Sequence, residues 1–378
     1  MKVAFVQRGL AYYVSEISSA IARAGHDVLF VHREENEDFT GSGGPDKNAE
    51  YRELFDPRIK LRFVSIKDRN FLAGMPHHLR AVAEMKWVIH RFRPDLIHLQ
   101  DETDYRIFAA VSLPFPRVPI VVTVHDAALH PGYKPSRTAF IRQWLRNIAA
   151  QIIVHGEEIK RQLVSQGIPD DKVNICPLGA HVFTRRWITG DTEGSDRNVL
   201  FFGRILEYKG LDYLIKAAPL VWEKVPQARF VIAGQGPDWP RCKALITNPE
   251  GFIIRHENIP DPEVTRLFEQ AAVVVLPYVE GSGSGVLSIA IALGKPAIVT
   301  NVGSLPEYID QWKTGVVVPP RDEKALAEAI IRLLSDDQLR ESIGKNAYRM
   351  ATDGELSWDR IAQKTIKVYE KALRMKPT

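Results

Sequence analysis

Over 378 residues the chain carries 45% hydrophobic and 25% charged side chains, an ordinary globular mixture with apolar material enough for two cores. Its 50 basic and 46 acidic residues leave a formal net charge of +4, too even a balance for a protein whose main partner is nucleic acid. Cys176 and Cys242 lack a metal-type spacing and are too few for a disulfide framework, so no metal site and a reducing, cytoplasmic setting are expected.

The chain opens on VAFVQ, a strand, followed by SEISSAIARAG, whose apolar residues recur at helical spacing until Gly25 stops the helix. No secretory leader is read in this start. The longest apolar runs, AAVVVLPY among them, fall well short of the roughly 20 residues of a membrane-spanning helix. DVLFVH and LRFVSI continue as strands, MPHHLRAVAEMKWVIHRF reads as an amphipathic helix, and DLIHLQ, IVVTVH, QIIVHG and VNICPL complete a first series of strands. Short apolar runs alternating with amphipathic ones describe parallel strands covered by helices on both faces. RRWITGDTEGSDRN, Arg185 to Asn198, is polar and glycine-bearing and is the expected linker. The rhythm then restarts with NVLFFGR, ARFVIAG, FIIRHEN, VVVLPY, PAIVTN and GVVVPP. The closing LSWDRIAQKTIKVYEKALRM is a helix with Trp358, Ile361, Ile366, Tyr369 and Leu373 on an apolar surface. The fold class is therefore α/β, doubly wound twice. Ligand is expected outside the carboxyl ends of the strands, where Arg204, Gly281 and His125 fall.

Two stretches carry the chemistry. In VLFFGRILEYKGLDYLI, Arg204 and Lys209 follow a buried strand, and a guanidinium fork beside an ammonium suits a diphosphate. In LPYVEGSGSGVLSIAIALGKPAIVT, the turn Gly281-Ser282-Gly283-Ser284-Gly285 joins a strand to a helix with no slack, so bare N–H groups are presented to phosphate or a sugar hydroxyl. The plainer readings are two surface cations and a flexible linker. His125 ends the strand PIVVTV; it is either a donor to a ligand or a strand-end histidine bonded to backbone. His98 and His155 close similar runs.

In order and spacing these segments resemble the family 4 glycosyltransferases of the GT-B fold, over nearly the whole chain. MKVAFVQRGLAYYVSEISSAIARAGHDVLFV, RPDLIHLQ, PIVVTVHD, FFGRILEYKGLDYLIKAAPLV, EGSGSGVLSIAIALGKPAIVTNVGSLPEYI and the terminal WDRIAQKTIKVYEKAL carry the resemblance. It implies two Rossmann-like domains facing a central cleft: an acceptor domain, residues 1–184 plus the returning helix 358–378, and a nucleotide-sugar domain, residues 185–357. Arg204 and Lys209 would then stabilise the leaving diphosphate, and Glu280, opening the family's E-x7-E pattern, would accept from donor-sugar hydroxyls. His125 would lie near the transferred sugar, Gly9 near the diphosphate and acceptor, and Asn258 and Ile259 near the nucleobase. Glu307 matches a family glutamate of structural role. The chain departs from the pattern at Ser288, where the second glutamate stands in the family, so the ribose loses a charge-assisted bond. With one glycine in the first loop, Tyr12 and Tyr13 are expected to shape that pocket.

The resemblance further implies transfer with retention of configuration from a nucleoside diphosphate sugar, which is a substrate, with no cofactor and no metal. The expected acceptor is a glycan or lipid-linked sugar in polysaccharide or glycoconjugate synthesis. Ser65 to Pro94 and Lys134 to Asn147 are basic and amphipathic, either for peripheral membrane contact or as ordinary solvated faces. A nucleotide-sugar epimerase, a phosphorylase and a non-catalytic nucleotide-sugar-binding subunit remain alternatives on the same fold. A dinucleotide dehydrogenase is disfavoured because MKVAFVQRGLAYYVSE lacks G-x-G-x-x-G.

Overall fold

The computed structural model describes residues 1–7, 11–33, 52–64, 75–100, 105–112, 118–127, 137–190, 195–281 and 283–375. Gly9 and Ser282 lie outside the described residues. The chain forms two compact units, Met1–Pro177 with Trp358–Thr378, and Leu178–Ser357.

In the first unit the strands are β1 (Lys2–Gln7), β2 (Asp27–Arg33), β3 (Lys60–Val64), β4 (Leu96–Gln100), β5 (Ile120–Val124), β6 (Gln151–Val154) and β7 (Val173–Ile175). The helices between them are α1 (Ala11–Arg23), α2 (Met75–Phe92), α3 (Tyr105–Ser112), α4 (Arg137–Ile148) and α5 (Glu157–Ser165). The strands pair in parallel in the order β3-β2-β1-β4-β5-β6-β7, so the winding reverses between β1 and β4. Alternation along each strand divides the sheet into two faces. Ala4, Val6, Leu29, Val31, Leu99, Val122, Val124 and Val154 share one core with Met85, Val88 and Ile89 of α2. The other face carries Phe5 and His98, whose rings lie 4.8 Å apart, and is covered by the closing helix.

The second unit contains β8 (Asn198–Phe202), β9 (Arg229–Ala233), β10 (Phe252–Arg255), β11 (Val273–Leu276), β12 (Ala297–Thr300) and β13 (Val316–Val318), with α6 (Leu211–Trp222), α7 (Trp239–Lys243), α8 (Asp261–Glu269), α9 (Gly285–Ala292), α10 (Glu323–Ser335) and α11 (Asp337–Thr352). Its sheet is also parallel, in the order β10-β9-β8-β11-β12-β13, and reverses between β8 and β11. Two of its helices have aspartate caps: Asp322 accepts from the Lys324 and Ala325 N–H groups, and Asp336 from that of Leu339.

The last helix, α12 (Trp358–Arg374), belongs to the first unit and packs on α1. Its buried stripe is Trp358, Ile361, Ala362, Thr365, Val368, Tyr369 and Ala372. Leu373, expected on that stripe, is 40% exposed; at 3.6 residues per turn Ala372 takes the inward position after Val368 and Tyr369.

The boundary at Pro177/Leu178 precedes both the expected one at residue 184 and the polar stretch Arg185 to Asn198. The reason is local. The Leu178 N–H donates to the Tyr308 hydroxyl at 2.9 Å and the Ala180 N–H to the Leu356 carbonyl at 3.2 Å. Buried Glu269 accepts N–H bonds from Thr189 and Gly190 and the Thr189 hydroxyl. These bonds satisfy a carboxylate that burial would otherwise penalise, and they fasten the start of the supposed linker to the second unit.

Candidate active site

Three loops meet at the carboxyl edge of the second sheet, beside its switch point, where an open α/β sheet binds ligand. Gly203, after β8, has φ +121° and approaches Val286 of α9; a Cβ there would lie 3.6 Å from the Val286 Cγ2. Its N–H donates to Ala233 and that of Ile205 to Gln235, so the β8 and β9 loops run in contact. Cβ atoms at Gly234 or Gly236 would stand 2.0 Å from the carbonyl oxygens of Gly203 and Ile205. Only glycine permits this approach. The Val279 N–H donates to the Tyr208 carbonyl at 2.8 Å, which ties the β11 loop to the β8 loop.

Arg204 projects from this platform. It is exposed, and among the described residues its guanidinium has no hydrogen-bond or ion-pair partner. Lys209 ends a 3-10 turn and is half-buried, its Nζ 3.7 Å from the centroid of the Tyr278 ring and 5.0 Å from that of Tyr208. Two aromatic faces thus hold the ammonium in place. Burial pushes the Tyr278 phenol well above its usual range, so it stays protonated; it shares a 2.9 Å hydrogen bond with the Ser284 hydroxyl. Gly281 has φ +133°, a conformation suited to glycine. Ser284 is extended and precedes α9, Gly285 begins it, and Gly283 and Gly285 are both exposed. The first N–H groups of α9 have no intrahelical acceptor.

Glu280 is exposed and lies 3.8 Å from Arg321, a non-glycine residue at φ +59° and a cation that sequence reasoning missed. Ser288 is 5% exposed and its carbonyl accepts from the His181 N–H at 3.3 Å. The His181 ring lies beside Gly285, 3.3 Å from where a Cβ would stand; burial holds its pKa down to about 4. Asn258 is exposed. The Ile259 side chain packs in the core with Leu200, Val231 and Phe268, so this position can offer a ligand only its backbone. Glu307 is exposed, on the 3-10 turn Leu305–Tyr308.

In the first unit His125 follows β5 and both of its ring nitrogens are engaged. The Cys176 carbonyl can only accept, so His155 Nδ1–H donates to it at 2.9 Å. His155 Nε2 then accepts from His125 Nδ1–H at 3.1 Å. His125 Nε2 lies 2.8 Å from the Gln100 side-chain oxygen, which can only accept, so the neutral relay is complete when the Gln100 amide is turned to present its N–H instead. Burial favours this all-neutral relay: it lowers His125 well below the usual imidazole range and His155 to about 4. Tyr13 packs edge-on against both imidazoles and against Trp358. Two buried arginines of α4 hold the backbone just beyond His125. Arg142 donates to the Asp126 carbonyl, and Arg146 to those of Asp126 and Ala127. These cations, expected on a solvent- or membrane-facing surface, are used internally. His98, one row below, lies between the Tyr369 hydroxyl at 2.6 Å and the Thr123 hydroxyl at 2.7 Å. Among the described residues no group of three or more His, Cys, Asp or Glu could hold a metal ion, and no helix is long and apolar enough to cross a membrane.

A family profile described as "Glycosyltransferase Family 4" matches residues 7–182, and one described as "Glycosyl transferases group 1" matches residues 190–350. The chain belongs to the family 4, group 1 glycosyltransferases. An uncharacterized glycosyltransferase of Methanocaldococcus jannaschii is 26% identical over 97% of this chain and 95% of its own length. A D-inositol 3-phosphate glycosyltransferase of Pseudarthrobacter chlorophenolicus is 27% identical over 97% of this chain and 90% of its own. Among solved structures, HepE of Anabaena in complex with UDP-glucose superposes with a TM-score of 0.68 at 18% identity, covering 98% of this chain and 99% of that one. The fold of this glycosyltransferase is accordingly GT-B, with two Rossmann-like parallel-sheet domains, and its activity is sugar transfer.

Proposed function

We propose that the enzyme transfers a hexose or related sugar from a nucleoside diphosphate sugar to a glycan or lipid-linked acceptor, with retention of configuration and without a divalent metal. The observation that carries this reading is the exposed Arg204 guanidinium, unpaired among the described residues, beside the glycine turn and the start of α9, at the switch point of the second sheet. A diphosphate there meets a fork of donors, the Lys209 charge and free backbone N–H groups, which supply the stabilisation a metal would otherwise give. The bond from the anomeric carbon to the diphosphate oxygen breaks, and a bond to the acceptor oxygen forms on the same face. The acceptor proton passes to a non-bridging oxygen of the departing phosphate, so no enzymic base is required.

The nucleotide is held by the second unit, with Glu280 and Ser284 toward the sugar, backbone at Asn258 and Ile259 toward the base, and Ser288 as a neutral replacement on the ribose side. UDP-glucose in a structural neighbour makes a uridine nucleotide the first to try. The test is a thermal-shift screen of UDP, GDP, ADP, CDP and dTDP with their sugar conjugates, in EDTA. A rise in melting temperature with one nucleotide family is expected, lost in Arg204→Ala. No shift without metal, restored by magnesium or manganese, overturns metal independence; no shift under either condition overturns the donor site.

One observation favours an acceptor at a membrane surface. On α2, Leu79 and Trp87 are 63% and 62% exposed, with Arg91 over the Trp87 ring at 5.6 Å. An apolar stripe edged by cations suits anionic lipid. Flotation with vesicles containing phosphatidylglycerol tests it; Trp87→Ser should release the protein, and absence of binding at low salt removes the idea.

A further inference from the structure

The backbone beside Arg204 is gripped by the loop that follows β9. Ile205 donates its N–H to the Gln235 carbonyl at 2.9 Å, and its own carbonyl accepts from the Asp238 N–H at 3.3 Å. Asp238 ends that loop and precedes α7. Its carboxylate is held in turn by Arg241 of α7, whose Nε donates to Oδ1 and Nη2 to Oδ2, each at 2.7 Å. Arg241 Nη2 also reaches Asp212 Oδ1 at 3.3 Å, and Lys216 Nζ takes the other oxygen of Asp212 at 3.2 Å. Asp212 lies in the first turn of α6, just beyond Lys209. The segment from Ile205 to Asp212 is therefore fastened at both ends to one short stretch, Asp238 to Arg241. Its middle is tied as well, by the Val279 N–H on the Tyr208 carbonyl. Arg204 stands at the open end of this clip, with no partner of its own among the described residues.

Stability gains little from the clip. The Arg241 and Lys216 side chains are 45% and 44% exposed, so their ion pairs contribute weakly. The Asp212 side chain is 8% exposed, and burying a carboxylate carries a desolvation cost that an apolar contact between the same elements would avoid. What an arginine fork supplies is geometry, because two parallel N–H bonds fix distance and angle together. The same fork holds the Asp238 carboxyl below its usual range, so the clip stays charged and closed at neutral pH.

We propose that Arg241 is a positioning residue, which through Asp238 and Asp212 sets the backbone from which Arg204 reaches the diphosphate. Arg241 acts through Arg204 and not on the ligand. The inference rests on the donor-site reading of the second unit.

The experiment is a double-mutant cycle of Arg241→Met and Arg204→Ala in the full-length protein, in EDTA, with affinity read by calorimetry. UDP is the first probe, and inorganic pyrophosphate the second, since it carries the diphosphate without a base. Arg241→Met keeps the apolar stem and removes the fork. It should weaken binding about tenfold in the unaltered background and less than about twofold in the Arg204→Ala background. Amide hydrogen exchange should quicken at Ile205 and Asp238 while β8 and β9 keep their protection. Removing a cation also leaves a net negative charge near the site, which would weaken an anion by the same factor with or without Arg204. Equal factors in both backgrounds therefore overturn the proposal. So do unchanged affinity in Arg241→Met, unchanged exchange at both amides, or exchange quickened throughout the unit, which is the mark of a role in stability alone. Should Arg241→Met not fold, Asp238→Asn takes its place in the cycle, because it gives up one carboxylate oxygen and with it one arm of the fork. If neither probe binds the unaltered protein, or Arg204→Ala binds as tightly, the donor-site reading fails, and the local exchange alone upholds or overturns the clip.

Discussion

The two sheets have the same parallel architecture but finish their strands differently. In the second unit the strand ends give way to glycines at positive φ, Gly203, Gly234 and Gly281, with an exposed arginine and an aromatic-clamped lysine. In the first unit five strands end in or lead directly into glutamine or histidine: Gln7, His32, Gln100 and His155 are buried and His125 half-buried, and burial lowers the pKa of His125 and His155. Backbone N–H groups and cations match phosphate; amides and imidazoles match hydroxyls. One parallel topology thus presents two chemically different edges, set by the residues at its strand ends. Burial sets the terms: a cation stands unassisted at the exposed edge, whereas at the covered one Arg142 and Arg146 are buried with their charge met by the Asp126 and Ala127 carbonyls.

The largest effect should come from breaking the platform of the second unit. In Gly234→Ala the new Cβ would sit 2.0 Å from the Gly203 carbonyl oxygen at φ +127°, and the strain and overlap should cost about 4 kcal/mol of stability, read from the denaturant midpoint. A loss under about 1 kcal/mol would mean that the loops yield and form no rigid platform. Next in size is Arg204→Ala. An exposed guanidinium without partners among the described residues contributes little to folding, so the melting temperature should hold while turnover falls about 100-fold or more, as for other preorganised charge contacts. Lost stability with retained turnover would make Arg204 structural.

Strands and helices were legible because burial on both faces writes long apolar runs and the 3.6 period writes the helices. The glycine turn and Arg204 were legible for a related reason: a strand end followed at once by special residues can only be a sheet edge. What escaped depends on contacts between distant residues. Nothing near Glu269 announces that it will collect the N–H groups of Thr189 and Gly190 and so move the domain boundary. Lys209 read as a phosphate cation, but its clamp, Tyr278, lies 69 positions away in sequence, 278 minus 209. Ile259 was placed near the base, yet its apolar side chain completes a core. The His125–His155 relay needs the β5/β6 register before the two rings can be seen as neighbours. The run of Gln and His at strand ends was visible in the sequence, but it has meaning only once the strands are known to lie side by side.

The neutral histidines also predict how the units respond to acid. His98, His125 and His155 in the first unit have folded pKa values lowered by burial, to about 3 for His98 and about 4 for His155; His181, at about 4, is the counterpart in the second. A lowered histidine pKa means that the unfolded chain binds more protons between the folded value and about 6.5. Stability is then fully present above pH 6.5 and declines as pH falls toward 4. At pH 5 each such histidine should cost up to about 2 kcal/mol, and three of the four are in the first unit. Hydrogen exchange at pH 7.5 and pH 5 should show the first unit losing protection before the second. Equal loss in both would mean that these histidines take up protons without opening the unit, contrary to the neutral relay.

The smallest expected effect concerns the rim of the second unit. Arg321 and Glu280 are 3.8 Å apart with side chains 56% and 58% exposed, so the pair itself is worth less than about 0.5 kcal/mol. Arg321 nevertheless holds a backbone angle of +59° that a side chain adopts at a cost and glycine adopts freely. Relief of that strain should roughly offset the extra chain entropy of glycine, leaving Arg321→Gly with an unchanged melting temperature. If Arg321 serves to aim Glu280 at a sugar hydroxyl, the same variant should raise KM for the nucleotide sugar a few-fold and leave kcat alone, because the contact is made equally in ground and transition states. A fall in kcat instead would place Arg321 with Arg204 among the groups that stabilise the departing diphosphate, and the cationic edge of the second unit would then be wider than one strand end.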